Sequence, residues 1–226
     1  MVQSSRGKLT MKEDRAPSLS EHCWIFLHGL RATAGYLVKQ MNAVRPRYER
    51  WSTVRLPDSV QSVLFVCKGN ICRSPLAEAY FQSLVEKERR QMAVRSAGLE
   101  TTPGKPAHVN ARVVALEQGL SLDTHATTQV HKELIDQSDL IIVMEIAQKN
   151  RIHSLYPNTN GKVVLLGRFD SIGSLEIADP YSGTSEDFNF CFQQVSRCCD
   201  VLAARLSVKK SEPAMSQVLP VNPKNS

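Results

Sequence analysis

Along the middle of the chain, short unbroken apolar runs alternate with longer stretches in which apolar residues return every three or four positions. Val63 to Val66, Ala93 to Ser96, Leu140 to Met144 and Lys162 to Leu166 are the short runs. Runs of this length, rich in β-branched residues, predict strands buried on both faces of a sheet. Between and after them the spacing predicts helices from Pro75 to about Lys87, from an Asn110 N-cap to just before Gly119, and from Ala147 to Leu155 ahead of Pro157. Thr184-Ser185-Glu186-Asp187 reads as a capping box, and Phe188, Cys191, Phe192, Val195, Cys199, Leu202 and Leu206 follow it at helical spacing. Strands alternating with helices predict an α/β fold, with a parallel sheet wound by right-handed crossovers.

The same pattern divides the chain. Residues 1–60 form an amino-terminal extension: a polar lead, an amphipathic helix over about 22–42 with Leu27, Leu30, Ala34, Leu37 and Met41 on one stripe, and a linker from Val44 to Asp58 containing Pro46 and Pro57. Residues 61–206 are the expected catalytic domain, and 207–226 an expected disordered tail. The helix has three readings: docking onto the domain or a second copy, membrane-surface association helped by Arg45, Arg47, Arg50 and Arg55, or a weakly ordered extension favoured by Gly29 and Gly35. Its apolar stretch is too short to span a bilayer.

Composition refines this only slightly. An apolar content of 42% supports a real core, and 226 residues fit one domain of about 100 to 200 residues plus appendages. The net charge of +6 raises the question of nucleic acid. Residues 1–60 hold ten Lys and Arg against five Asp and Glu, whereas 61–206 hold fifteen against sixteen, so the excess lies outside the expected domain and no aromatic-rich basic face supports nucleic-acid binding. Six cysteines without a cleavable signal pattern argue for a reducing, cytoplasmic setting, and no Cys/His spacing resembles a zinc site.

The chemistry is concentrated where the first strand ends. Cys67 is followed after five residues by Arg73, then by Ser74-Pro75, which begin a helix: the Ser74 hydroxyl can cap it, and proline suits its first position. The intervening amides can curl into a nest at the positive end of that helix. The helix dipole and Arg73 favour a Cys67 thiolate, and the planar guanidinium can hold two phosphoryl oxygens. A lone cysteine after a strand is ordinarily a small buried hydrophobe; here the whole constellation would have to be accidental.

Cys67-Lys68-Gly69-Asn70-Ile71-Cys72-Arg73-Ser74-Pro75 resembles the phosphate-binding loop of low-molecular-weight protein tyrosine phosphatases. The resemblance implies a four-stranded parallel sheet in the order 2-1-3-4 flanked by helices, with no cofactor or metal. It implies a phosphocysteine intermediate on Cys67, phosphoryl binding by Arg73 and the loop from Lys68 to Ser74, bracing by Asn70, a hydrogen bond from Ser74 to the thiolate, and a reversible disulfide between Cys67 and Cys72. Ser96-Ala97 and Asp123-Thr124-His125 resemble segments whose Ser and His support the loop asparagine. Many relatives carry Arg shortly after that His, whereas Ala126, Thr127, Thr128 and Gln129 stand here.

Such a mechanism needs a proton donor for the leaving oxygen. Asp179-Pro180-Tyr181 lies in a long aperiodic stretch from Arg168 to Gly183; alone it would be an ordinary turn, but it matches the family's general-acid segment. Asp179 is then the expected acid and base, Tyr181 a wall of the cleft, and Asp170 the nearest competing carboxylate. By the same resemblance the substrates are phosphotyrosine proteins, among them a bacterial tyrosine autokinase controlling exopolysaccharide export. Phosphoarginine phosphatases and arsenate reductases share the fold; the former tend to have Thr where Ile71 stands, and the latter need relay cysteines, absent here between Cys72 and Cys191. A silent phosphotyrosine-binding adaptor is the non-enzymatic alternative.

Overall fold

The computed structural model describes residues 55–159, 161–170, 172 and 174–211. The expected helix over 22–42, most of the linker and the end of the tail lie outside the described residues.

Strands β1 (Ser62–Cys67), β2 (Ala93–Gly98), β3 (Leu140–Val143) and β4 (Val163–Leu165) form one sheet in the order β2-β1-β3-β4. All three pairings are parallel, with Phe65 opposite Ser96 on one side and Ile142 on the other. Helices α1 (Arg73–Lys87), α2 (Val109–Glu117), α3 (Lys132–Asp136), α4 (Ile146–Leu155) and α5 (Ser185–Ser211) complete the fold. Because side chains alternate along a strand, β1 feeds two cores. Val63, Phe65 and Cys67 join Ala77, Phe81 and Val85 of α1 and Val195, Cys199 and Leu202 of α5. Leu64 and Val66 turn the other way, toward Leu134, Ile135 and Ile152 of α3 and α4. Phe65 meets Phe81 edge-on at 5.5 Å, and burying each such ring contributes about 1.5–3 kcal/mol.

Element boundaries depart from expectation in ways that have local causes. α2 is capped by His108, whose Nδ1 accepts from the Asn110 amide at 3.2 Å, so Asn110 lies inside the helix rather than before it. Its far end follows the pattern: Gly119 is left-handed (φ 72°), and the Leu120 and Gly119 amides return to the Ala115 and Leu116 carbonyls. The capping box of α5 forms with Asp187 as the reciprocal acid, the Thr184 amide donating to it at 2.6 Å. The short helix α3 was not anticipated; a single turn carries too little periodicity. Leu56, assigned to the linker, is buried in the core with Val60, and α5 runs to Ser211 rather than stopping near 206. Among the described residues no helix is long and apolar enough to cross a membrane.

Asp139 fixes the sheet at its starting edge. Its Oδ2 accepts from the amides of Gln61 and Ser62 and from the Ser62 hydroxyl at 2.8–2.9 Å, stitching β1 to β3. The opposite, carboxyl-terminal edge is where β1 has β2 on one side and β3 on the other. Loops diverge there and leave a crevice, the usual ligand site of such sheets.

Candidate active site

The loop from Cys67 to Arg73 fills that crevice. Cys67 ends β1 and is buried; the Asn70 amide donates to its sulfur at 3.2 Å, and the Ser74 hydroxyl lies 3.1 Å away. Asn70 is left-handed (φ 55°), a conformation asparagine tolerates better than most residues. Its side chain holds the bend: Nδ2 donates to Ser74 Oγ at 2.9 Å and Ser96 Oγ at 2.8 Å, and Oδ1 accepts from the Thr128 amide at 2.8 Å. The Ser74 hydroxyl thus accepts from Asn70 and faces both the sulfur and, at 3.4 Å, the Ala97 carbonyl. His125 Nε2 donates to the Asn70 carbonyl at 2.8 Å. The Ser96 hydroxyl donates to Glu78 at 2.5 Å; burial pushes that carboxyl up, against the Ser96 hydroxyl and the His125 ring.

Ser74 therefore does not cap α1. Cys72 holds the N-cap position without a side-chain bond, and Pro75 sits two residues inside, so the first amides of the helix remain for an anion. Gly98 at the end of β2 closes the loop from below. A Cβ there would stand 2.9 Å from the Lys68 carbonyl oxygen and 3.0 Å from the Asn70 nitrogen. The Leu99 and Glu100 amides bond the Cys67 and Lys68 carbonyls at 3.0 and 2.8 Å.

Arg73 is almost wholly buried, which is costly for a cation unless it is paired. Its Nη2 donates to Asp179 at 2.5 Å, and its Nη1 to the Ile177 carbonyl at 3.1 Å and to Glu145. The Arg73 Nε is buried with no hydrogen-bond partner among the described residues, a donor that an anion in the loop would satisfy. A nucleophilic sulfur, a guanidinium fork, free helix amides and a carboxyl thus converge on one cleft of about 230 Å³.

Residues 62–212 match the model of the low molecular weight phosphotyrosine protein phosphatase family. The chain belongs to this family. It is 36% identical to the low molecular weight protein-tyrosine-phosphatase Wzb of Escherichia coli strain K12 over 149 residues, 66% of this chain and 97% of that protein. The crystal structure of the Erwinia amylovora tyrosine phosphatase AmsI is 34% identical and superposes with a TM-score of 0.61 over 66% of this chain and 94% of that one. The YwlE arginine phosphatase of Geobacillus stearothermophilus is 32% identical, with the same TM-score over 66% of this chain and 95% of its own.

In this phosphatase the expected site residues fall together. Lys68, Gly69, Ile71 and Cys72 line the cleft beside Cys67 and Arg73; Asn70, Ser74, Ser96 and His125 stand behind it. Cys72 packs among Leu76, Ala111, Phe188 and Phe192, and burial pushes its thiol up to about 12. Tyr181 is exposed on the rim, its ring edge-on to His108 at 5.7 Å, and His108 stacks on Phe188 at 4.8 Å. Asp170 is not a rival acid: it is buried and bonded to Arg197 Nη2 at 3.1 Å, anchoring the start of the acid segment. Cys191 lines the far side of the Asp179 segment, and burial pushes its thiol up to about 12.

Sequence reasoning missed Glu145, Gln148, Glu78 and Gly98. Glu145 follows β3, and Gln148 holds it from α4 at 3.0 Å while accepting from the Met144 amide at 2.9 Å. Ile177 ties the acid segment down by donating to the Met144 carbonyl at 2.9 Å. The apolar run into Met144 pointed to the strand, but nothing in the local pattern pointed to a carboxylate aimed at Arg73.

Proposed function

We propose that the phosphatase hydrolyses phosphotyrosine in proteins through a phosphocysteine intermediate on Cys67, with Asp179 as general acid and then base. The sulfur attacks phosphorus and the phosphorus–phenol bond breaks, the leaving oxygen taking the Asp179 proton. Water then attacks the phosphocysteine, gives a proton back to Asp179, and frees Cys67 and inorganic phosphate. Arg73 holds the equatorial oxygens while charge builds on them. The observation that carries this reading is Arg73 itself: buried, bonded to Asp179, lining the same cleft as Cys67, and with an Nε that has no partner among the described residues. A bound phosphoryl dianion competes with Asp179 for the fork. It thereby frees that carboxyl to take up a proton from solvent and deliver it to the leaving oxygen.

Phosphotyrosine is favoured over phosphoarginine by the bulky Ile71 in the cleft wall and by the Tyr181 ring at its mouth, which suits an aryl group. A bacterial tyrosine autokinase that controls exopolysaccharide export is the proposed partner class, and a Cys67–Cys72 disulfide the proposed reversible off state. The decisive experiment compares phosphotyrosine and phosphoarginine peptides with wild type and Cys67→Ser under reducing conditions. Hydrolysis of the aryl ester by wild type alone is expected. An inactive wild type would sink the enzyme reading, and preference for phosphoarginine would redirect it.

A further inference from the structure

Beside the catalytic cleft lies a second, open groove of about 460 Å³. It shares Gly69, Ile71 and Glu100 with the cleft and continues past Thr102 to Lys105 and Gln129. Its floor is irregular backbone, yet that backbone is pinned. The Gln129 side chain accepts from the Thr101 amide at 3.0 Å and donates to the Leu99 carbonyl at 2.8 Å. Thr127 does the same one step out, its hydroxyl donating to the Thr102 carbonyl at 2.7 Å and accepting from the Lys105 amide at 2.9 Å. A groove held in shape before binding loses little entropy when a chain lies in it.

The groove carries charge of both signs in a fixed order. Glu100 stands where groove and cleft join, and Lys105 stands on the outer part alone. Glu100 is paired with Lys68 at 3.8 Å, both side chains about two-thirds exposed, which makes the pair weak and readily exchanged. Lys68 adjoins the nucleophile. A cation that takes over Glu100 therefore leaves the Lys68 ammonium free for the phosphoryl dianion in the cleft.

We propose that this groove holds the polypeptide flanking the phosphotyrosine, with Glu100 selecting a basic side chain next to it and Lys105 an acidic one further along. The inference rests on the phosphotyrosine reading above and adds a class of substrate to it. It also explains how this chain uses Thr127 and Gln129: Gln129 lines the groove, and both pin its backbone.

The test measures kcat/KM of the full chain at low ionic strength on two sets of phosphotyrosine peptides. One set differs only in the adjoining residue, Lys, Ala or Asp, the other only in a residue further along, Glu or Ala, where Glu should be the better substrate. The expected order in the first set is Lys above Ala above Asp, each step roughly two- to fivefold, shrinking as salt is added. Glu100→Gln should flatten the Lys-to-Ala step. Lys105→Glu should keep that step but remove the advantage of a more distant acidic residue. A flat or reversed order in wild type, or an order that survives Glu100→Gln, overturns the proposal. A wild type that cleaves none of the peptides overturns the phosphotyrosine reading instead.

Discussion

Behind Cys67 the phosphate loop is braced by Asn70, Ser74, Ser96, Glu78 and His125, a chain of buried or half-buried groups joined at 2.5–2.9 Å. In front of it, the described residues between Phe169 and Ser185 form no helix or strand, and this segment, which carries Asp179, reaches the site mainly through Ile177 and Arg73. The side chain of Asp179 is 39% exposed. The two regions do different work. A nest for a dianion must be fixed before the ligand arrives, because its value lies in dipoles that need no reorganisation. A group that gives up a proton and takes it back needs contact with solvent and freedom to leave its resting partner.

Arg73 belongs to both regions, so disturbing it should have the largest effect. Arg73→Lys keeps a charge but loses the fork, and kcat/KM on an aryl phosphate should fall by about 10³-fold or more. Asp179→Asn should lower kcat by roughly 10²- to 10⁴-fold. Inorganic phosphate should at the same time inhibit that variant more tightly than wild type, since no carboxylate competes for the guanidinium; weaker inhibition would show that the Arg73–Asp179 contact is no competitor. Ser96→Ala should separate back from front. It leaves the Glu78 carboxyl without its donor and should cost about 1–3 kcal/mol in denaturant unfolding, whereas Asp179→Asn should cost less, because Glu145 still pairs the buried Arg73.

The smallest effect is expected far from both, at the starting edge of the sheet. Burial of Asp139 is outweighed by its bonds from Gln61 and Ser62, so its carboxyl is held below the usual range. The unfolded chain then binds the proton more tightly, and the stabilisation is present above the ordinary aspartate range and lost as pH falls through the depressed value. Asp139→Asn should cost about 0.5 kcal/mol at pH 7 after solvent screening, and the gap to wild type should close below about pH 4. A gap that widens on acidification would contradict this.

The phosphate loop was legible because it is local. Cys67 to Pro75 places nucleophile, fork and helix start within one stretch, and four apolar runs are enough to order a parallel sheet. Asp179 was legible only through its family segment, since an Asp-Pro pair in a loop has many other uses. Glu145, Glu78 and Gln129 were not legible. Each is an ordinary polar residue in its own neighbourhood and gains its role only from a partner brought close by the sheet. His108 was overlooked for another reason: a ring nitrogen can do the capping work usually credited to the asparagine that follows, and that ring also carries Tyr181.

The contact between Gly98 and the loop has a further consequence. The nest is cast against the end of a neighbouring strand, with no room for even a methyl group between mould and casting. A fragment ending at Lys87 would contain Cys67, the loop amides and Arg73, and still lack the surface that gives them their shape. The smallest portable phosphate-binding unit of this protein therefore reaches at least to Glu100. Anyone grafting the loop onto another scaffold would have to bring the adjacent strand with it.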